Sequence, residues 1–371
     1  MIALVLACIL TAILSMLYLG GAYNLSFLGE HEQGKETKYI ETLGYDYQPQ
    51  PKDMRSWLPK LTLHGKPSWN SSELDSFSDE SRNILKNNKD IALQTLDPDS
   101  DSLLILTPLK NNAKHLTRYF ELIDSLEYPR DKISIVFLVS NSTDQTQQML
   151  IESKRQYQEQ APKDKWFKRF DIFRQDFFYA LPRDQRHLRE KQRDRRIMMA
   201  RAQNYLWTRA LRNEQWVLWI DGDLEYYPPS IIHDLMAYDK DVIVPNCLVP
   251  RRNGQGRWEN SVYDFNSWQE TRKSLNMIGK LTDDAFLVEG TPLITHCKHM
   301  DKFDKGKGLV PLDGVGGTFT LVKAHMHRSG VGFLTWLFQH QVETEGFAKL
   351  AKSNGFGVFG LPNHNIRHGE E

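Results

Sequence analysis

The sequence predicts an α/β fold in which helices flank a mostly parallel central sheet. Compact apolar runs of strand length alternate along the chain with longer segments that have a helical pattern. Strand, helix, strand, helix in this order is typical of parallel sheets covered by helices. Ligands bind such sheets at the carboxyl ends of the strands. We therefore expect the functional residues directly after the apolar runs.

The predicted elements follow one another from residue 102 to the end of the chain. Strands are predicted at 103–106, 133–139, 170–173, 216–220 and 241–245, and helices at 113–126, 145–158, 184–212 and 344–353. Thr107 and Pro108 end the first strand, and a polar cluster that closes with Asp144 ends the second. The polar cluster is typical of a ligand-binding loop at the end of a strand. Residues 101–371 are accordingly predicted to form the α/β domain.

The first hundred residues differ in composition from the rest of the chain. Residues 2–22 contain no charged side chain, and a helix needs about 20 apolar residues to cross a membrane. We interpret residues 1–22 as a transmembrane signal anchor. A cleaved signal peptide is the alternative, although its apolar core is normally shorter, about 7–15 residues. Residues 23–100 are polar and contain several prolines, which predicts a stem region.

Charge and cysteine content restrict the possible functions. Lysine plus arginine and aspartate plus glutamate both total 47, so no net field draws the protein to nucleic acid or acidic lipid. Cys247 and Cys297 have neither a CxxC nor a Cys/His metal spacing. They form either one disulfide or two buried thiols, because the sequence alone does not give the sulfur geometry.

The strongest local signal is the Asp221-Gly222-Asp223 motif, which directly follows five apolar residues. Charge at the end of a buried strand needs compensation, and a hard divalent cation such as Mg²⁺ or Mn²⁺ supplies it through oxygen ligands. Gly222 lets the backbone turn closely past a ligand. The alternative is a solvated turn, but the position after a buried strand favours the metal. A sugar-nucleotide donor fits, because the cation neutralises its diphosphate and assists the leaving group.

Further candidates lie on both sides of this motif. Arg201 is on the helix that precedes the Asp221 strand and is a candidate for a bidentate diphosphate contact. The other arginines of 183–196 are interleaved with acidic residues, which favours a solvated helix face. Near the end of the chain, a neutral imidazole from His364 or His368 could complete a metal shell, although a terminal histidine is more often a surface residue.

Three further carboxylates are candidates for handling substrate. Glu343 and Glu345 are separated by one residue and precede the last predicted helix. Asp313 precedes a glycine-rich stretch and is able to orient an acceptor hydroxyl, although Asp-Gly is equally a plain turn signal.

Several segments together resemble the fungal Golgi mannosyltransferases of glycosyltransferase family 62, the subunits of mannan polymerase complexes. The matching segments are 105–109, 137–140, 200–204, 219–223, 239–246, 312–318, 343–347 and 360–363. In order and spacing they cover nearly all of residues 102–368. The resemblance implies a GT-A fold for the catalytic domain at 101–371, a GDP-mannose donor, Mn²⁺ and type II Golgi membrane topology with a luminal catalytic domain.

The same resemblance implies elongation of an α-1,6-linked mannan backbone on N-glycans, together with related subunits in a complex. An α-linked donor that gives an α-linked product implies net retention. Carried over by position, the family's sites assign the metal to Asp221, Asp223 and His368, the acceptor or the developing positive charge on the sugar to Glu343, Glu345 and Asp313, and the nucleotide pocket to Thr107, Pro108 and Asp144. His364 stands where the family has an aromatic residue, so the choice between His364 and His368 stays open.

Two other function classes compete with the transferase. The chain could be a mainly structural subunit that binds the donor and stabilises a catalytic homologue. It could also be a metal-dependent phosphoesterase that uses the same carboxylates. The sequence lacks the additional His and Asp clusters of a two-metal site, which argues against the phosphoesterase.

Overall fold

The computed structural model describes residues 101–179, 181–182, 185–186, 188–252, 254–288, 291–304 and 308–369. The predicted anchor at 1–22 and the predicted stem at 23–100 lie outside these ranges. Within them, no helix combines the length and the apolar character that a membrane crossing requires.

Within these ranges, fourteen strands and eight α-helices are named in chain order. The strands are β1 (Leu103–Leu109), β2 (Ile133–Val139), β3 (Arg169–Arg174), β4 (Trp216–Ile220), β5 (Leu224–Tyr226), β6 (Val242–Arg252), β7 (Trp258–Val262), β8 (Trp268–Gln269), β9 (Lys298–His299), β10 (Val310–Pro311), β11 (Phe319–Lys323), β12 (Leu334–Phe338), β13 (Gln341–Val342) and β14 (Val358–His368). The helices are α1 (Ala113–Asp124), α2 (Thr146–Arg155), α3 (Arg189–Ala210), α4 (Ile231–Met236), α5 (Arg272–Ile278), α6 (Pro292–Thr295), α7 (Ala324–Arg328) and α8 (Glu343–Ser353).

One ten-stranded sheet organises the domain. Its main order is β10-β14-β6-β11-β4-β1-β2-β3, with β5 paired to β14 and β7 paired to β6. The four strands β4, β1, β2 and β3 are parallel, as are β6 and β14, whereas β11 runs antiparallel between β4 and β6. The predicted α/β class with a largely parallel centre is confirmed, and the predicted strands correspond to β1, β2, β3, β4 and β6.

Apolar layers on both faces of the sheet follow from the two-residue period of a strand. Leu103 and Ile105 of β1 belong to one apolar cluster, which also contains Leu116 and Phe120 of α1. Leu104 and Leu106 belong to a second cluster with Ala200 and Leu206 of α3 and Phe347 of α8. Because both faces are covered, the centre of the sheet is uniformly apolar. The polar residues that follow the strands are therefore concentrated at its carboxyl edge.

Candidate metal and donor site

Strand pairing brings the acidic motif and the end of the chain together. Asp221 directly follows β4, and its backbone N–H donates to the Thr318 carbonyl at 3.0 Å. β14 pairs antiparallel with β5, and this register places His368 opposite Leu224, next to Asp223. One ligand atom from each of Asp221, Asp223 and His368 lies within 4.8 Å of the other two. These three side chains are the metal-ligand set that the resemblance implied.

Gly222 is fitted closely against the loop that follows β1. The Asn112 side-chain amide donates to the Gly222 carbonyl at 2.9 Å. A Cβ atom at position 222 would lie 2.2 Å from Asn112 Nδ2 and 2.5 Å from Leu109 Cδ2. Any side chain here would therefore push the two carboxylates away from this loop.

We expect Gly222→Ala to destabilise the protein by about 1–3 kcal/mol, because the added methyl group overpacks this contact. Gly279→Ala is the matched control, since the nearest atom to a Cβ there is 3.9 Å away. Urea unfolding of both variants measures the difference. Equal free energies of unfolding for the two variants would contradict this prediction, because the loop would then accommodate the methyl group without loss of stability.

The His368 ring is held in a defined orientation. Its Nδ1 lies 2.7 Å from the Gly369 carbonyl oxygen, its Nε2 lies 3.1 Å from Asp223 Oδ1, and the ring stacks on Tyr263 at 3.6 Å between centroids. A carbonyl oxygen only accepts, so Nδ1 carries the hydrogen and the neutral ring directs its Nε2 lone pair at the carboxylate. Two acceptors at this distance need a proton or a cation between them. Burial opposes the charged ring, but the hydrogen bond and charge of Asp223, together with the Gly369 carbonyl and Asp221, raise the pKa of His368.

Asp221 needs a counter-charge when it is ionised. Burial, and after it the neighbouring Asp223, raises the pKa of Asp221 to about 7. Two carboxylates and one imidazole, with a histidine tautomer fixed by a backbone carbonyl, form a donor set that suits Mn²⁺. The residues present therefore fit the ion that the resemblance implies.

We expect the metal-free protein to become less stable as the pH rises from about 4 to about 7, the interval between the unfolded and folded pKa of Asp221. Burial raises the pKa of Asp221 to about 7, so the native state binds a proton that the unfolded state, with its ordinary pKa of 3.8, has released. The stability that this proton contributes is lost as the pH rises through about 7. The raised pKa of His368 acts in the same direction, because its ion pair with Asp223 is lost above its folded pKa.

Thermal unfolding in EDTA and in Mn²⁺ across this pH range measures the effect. Mn²⁺ should raise the midpoint by several degrees more at the alkaline end than at the acidic end, since protons compete with it for the same side chains. A midpoint that depends on neither pH nor Mn²⁺ would contradict this account of the cluster.

The cluster opens into a cavity of about 780 Å³. Its lining includes Asp221, the loops that follow β1 and β2, one face of α3, and residues 263–266, 317–318 and 343–344. Lys110 and Arg186 lie on its wall, and burial together with the Arg186 charge lowers the pKa of Lys110. Two neighbouring cations at a cavity wall favour an anionic ligand such as a phosphate.

The predicted nucleotide-pocket residues are only partly brought to this cavity. Pro108 lines it. Thr107 is fully buried and shares a hydrogen bond of 2.8 Å with the Tyr119 hydroxyl, so it belongs to the core. Asp144 accepts from the backbone N–H of Ala113 and of Thr146, both at 3.0 Å, and shapes the loop without lining the cavity. The earlier residues of the same polar cluster, Ser140 and Asn141, line it instead.

Helix α3 presents other arginines to the cavity than the one expected. Arg201 is exposed and does not line the cavity, because at 3.6 residues per turn it lies about 140° around the helix from Arg196. The cavity face carries Gln192, Arg195, Arg196, Met199 and Gln203. Because acidic residues are interleaved with Arg195 and Arg196, both arginines were predicted to lie on a solvated helix face. The helical spacing of positions 192, 196, 199 and 203 was the signal that could have found them.

The two predicted glutamates have different environments. Glu345 is 1% exposed and forms a buried ion pair with Arg196, which also donates to Asn266 Oδ1 at 3.1 Å. Glu343 is 3% exposed and lines the cavity, and within the described ranges no hydrogen bond or ion pair to its carboxylate is found. Burial raises the pKa of Glu343 to about 7, despite the opposing charge of Arg196. Glu343 therefore faces the ligand space, and Glu345 holds Arg196.

The backbone supports this distinction. Glu343 has a φ angle of 51°, in the left-handed region that a residue with a side chain seldom occupies. Such strain persists where the surrounding structure enforces it, most often at functional sites. Here the strained residue connects β13 to α8 and carries the carboxylate that lines the cavity.

Asp313 is not part of the cavity, contrary to its predicted role. Its carboxylate forms an ion pair with Lys352 of α8 and accepts from the backbone N–H of Glu270 at 2.7 Å. These contacts fasten the glycine-rich stretch to its neighbours. His364 also lies apart from the metal cluster, with its ring edge-to-face on Tyr238. Cys247 and Cys297 are both free and buried, which is the two-thiol alternative.

A further carboxylate, Asp264, lies in the cavity and was not anticipated from the sequence. It follows β7, and its charge contributes to the raised pKa of Asp221 after burial and Asp223. A Cβ atom at position 316 would overlap the Asp264 carboxylate, so Gly316 makes room for it. No strand-end pattern precedes Asp264 in the sequence, because β7 is a mostly exposed edge strand with little apolar character.

Comparison with known proteins gives a consistent set of relatives. A family model described as Anp1 matches residues 85–336. The mannan polymerase II complex ANP1 subunit of Saccharomyces cerevisiae is 36% identical over 276 residues, which cover 72% of this chain and 55% of that protein. The mannan polymerase complex subunit MNN9 of Candida albicans is 37% identical over 288 residues, or 73% of this chain and 75% of that protein. The chain thus spans about half the length of the S. cerevisiae relative.

A solved structure also resembles the chain. The mannosyltransferase of Pyrobaculum calidifontis in complex with GDP-Man and Mn²⁺ is 12% identical, with a TM-score of 0.41 over 72% of this chain and 56% of that chain.

Proposed function

This chain belongs to the Anp1 family, and from that premise we propose that it is a Golgi mannosyltransferase with a GT-A-type catalytic domain. In this proposal it transfers mannose from GDP-mannose to an α-mannoside acceptor and extends the α-1,6-mannan backbone of N-glycans with net retention. The names of its relatives, which are subunits of mannan polymerase complexes, support mannan synthesis. The site supports a metal-dependent transfer.

The observation that carries the proposal is the cluster of Asp221, Asp223 and His368 at the edge of a large cavity. The three side chains come from two distant segments of the chain that converge at the carboxyl end of β4. Bound there, Mn²⁺ would neutralise the donor diphosphate and act as a Lewis acid on the leaving group. Lys110, Arg186 and Arg195 line the same cavity and provide positive charge for the phosphate oxygens.

In this proposal, acidic and basic residues of the cavity have different roles in the transfer. Transfer breaks the bond between the mannose C1 atom and the diphosphate oxygen. The acceptor hydroxyl oxygen forms the new bond to C1, and its proton passes to the departing diphosphate. Positive charge develops on the sugar as the leaving group departs, and the Glu343 carboxylate, which lines the cavity, would stabilise it. Arg196 is held by Glu345 and Asn266, so it forms a fixed wall beside Glu343.

Localisation and partners are also proposals. Residues 1–22 would anchor the protein as a single-pass type II membrane protein, and residues 23–100 would form the stem that carries a luminal catalytic domain. The partners would be related subunits of a mannan polymerase complex, and the acceptor a mannosylated N-glycan. The relatives' names support an assembly of this kind.

A donor screen tests the proposed activity. The purified chain is incubated with GDP- and UDP-sugars, with and without Mn²⁺, on an α-1,6-mannobiose acceptor, and the product linkage is determined. We expect transfer from GDP-mannose alone, dependent on Mn²⁺, with a new α-linkage. Transfer from a UDP-sugar, or undiminished transfer in EDTA, would contradict the proposal.

A second candidate function is favoured by the relatives' names as complex subunits. In it, the chain binds the donor but has little activity of its own and stabilises a catalytic partner. The purified chain would then bind GDP-mannose and transfer nothing, whereas the co-purified complex would transfer mannose. Inactivating the chain's own Asp223 within that complex separates the two functions, because only the first requires it.

A further inference from the structure

Gln203 is a buried polar residue of the cavity that the proposed chemistry leaves unused. It lies on the cavity face of α3 and is 6% exposed. Its side-chain oxygen Oε1 has less than 1 Å² of accessible surface and no hydrogen-bond partner among the described residues. Burying an amide oxygen without a partner is unfavourable, so a group that satisfies it must come from a ligand or from water.

The surroundings of Gln203 place it close to the metal cluster. A Cβ atom at position 317 would lie 3.8 Å from Gln203 Nε2 and 3.3 Å from Thr344 Cγ2, so Gly317 separates α3 from the start of α8. The next residue, Thr318, accepts the backbone N–H of Asp221 at 3.0 Å. The backbone of residues 317–318 therefore lies between Gln203 and Asp221, and the same backbone lies beside Thr344, the neighbour of Glu343.

The charges at this end of the cavity select the kind of ligand group. Asp264 and Glu343 line it, and the buried Glu345 lies behind them. The cavity-lining Arg195 and Arg196 act on Glu343 and balance these acidic charges, so this end has no excess of positive charge for a phosphate. A neutral, polyhydroxylated ring suits this end, since each hydroxyl donates to a carboxylate or an amide oxygen and also accepts.

We propose that Gln203 Oε1 accepts a hydrogen bond from a hydroxyl of the donor hexose, which makes Gln203 a specificity-determining residue for the sugar. This inference rests on the proposed function, because it places the donor diphosphate at Asp221 and Asp223 and the sugar toward Glu343. A site that hydrogen-bonds a substrate hydroxyl rejects analogues that lack it, because its buried polar group is then left unpaired. Gln203 would discriminate among hexoses in this way.

Calorimetric titration with Mn²⁺ present tests the inference without relying on turnover. The probes are GDP, GDP-mannose and the GDP-mannose analogues that lack one sugar hydroxyl, at C2, C3, C4 or C6. The variant is Gln203→Met, which keeps the side-chain length and removes the amide. Arg193→Met is the matched control, because Arg193 is on the same helix and is exposed.

We expect Gln203→Met to weaken GDP-mannose binding by about tenfold while GDP binding stays unchanged. One of the deoxy analogues lacks the hydroxyl that donates to Gln203. Wild type and variant should bind this analogue with the same affinity, because the hydrogen bond is missing in both. If the variant weakens GDP equally, or changes no affinity because water alone satisfies the amide, the inference is overturned while the proposed function stands. If the wild type binds neither GDP nor GDP-mannose, the proposed function itself fails.

Discussion

Asp223→Ala is expected to reduce the rate of mannose transfer by about 100- to 1,000-fold, the loss that follows removal of a preorganised electrostatic contact. Asp223 contacts His368 at 3.1 Å and is part of the only group of three metal-ligating side chains found among the described residues. Its removal should therefore release the cation. The rate is measured with GDP-mannose and saturating acceptor at several Mn²⁺ concentrations.

Two further variants make this test specific. Asp221→Ala and the double variant should lose about as much activity as Asp223→Ala, because residues that act through one bound ion are not additive. Asp131→Ala is the control. Asp131 is exposed and precedes β2, so it lies at the amino end of that strand, whereas the cavity lies at the carboxyl end. Multiplicative losses in the double variant would indicate that the two carboxylates act independently of a shared cation.

Glu343→Gln is expected to lower kcat by about 100-fold with little change in KM for GDP-mannose, because the lost charge acts on the transition state. The same substitution should stabilise the protein at alkaline pH. Burial raises the pKa of Glu343 to about 7, so above this pH the native state carries a buried charge that glutamine lacks. Activity and stability should thus change in opposite directions.

Glu345→Gln is the matched comparison and should behave differently. It removes one partner of the buried ion pair with Arg196, whose loss typically costs about 3–5 kcal/mol of folding stability. Urea unfolding and steady-state kinetics of both variants distinguish the two roles. A Glu343→Gln protein that retains the parental kcat would remove Glu343 from the proposed chemistry.

Features that depend on neighbouring residues in the sequence could be predicted. Asp221 and Asp223 follow an apolar run directly, so the end of a buried strand and two carboxylates are readable together. The predicted strands in β1, β2, β4 and the start of β6 were recognisable because both of their faces are buried, whereas the edge strand β3 is only partly buried. β11 was not predicted, although four of its five residues are buried. Its antiparallel position between β4 and β6 depends on strand pairing, which no local pattern encodes.

The remaining site residues depend on long-range geometry. The register of β14 shifts between Leu361 and Asn365, and this irregularity helps decide that His368, rather than His364, lies beside Asp223. Asp144 lies in a polar cluster typical of a ligand-binding loop, but its carboxylate accepts from the backbone N–H groups that start α1 and α2. Asp313 is paired with Lys352, a contact between segments that the sequence does not reveal as neighbours.

Crystals grown with GDP and Mn²⁺ provide the most direct measurement of the central claim. An anomalous difference map recorded at the manganese absorption edge locates the ion independently of any assumption about the ligands. We expect one peak within coordination distance of the Asp221 and Asp223 carboxylates and His368 Nε2, at about 2.0–2.2 Å, in contact with the diphosphate. A peak elsewhere in the cavity, or GDP bound without a peak at these residues, would contradict the account.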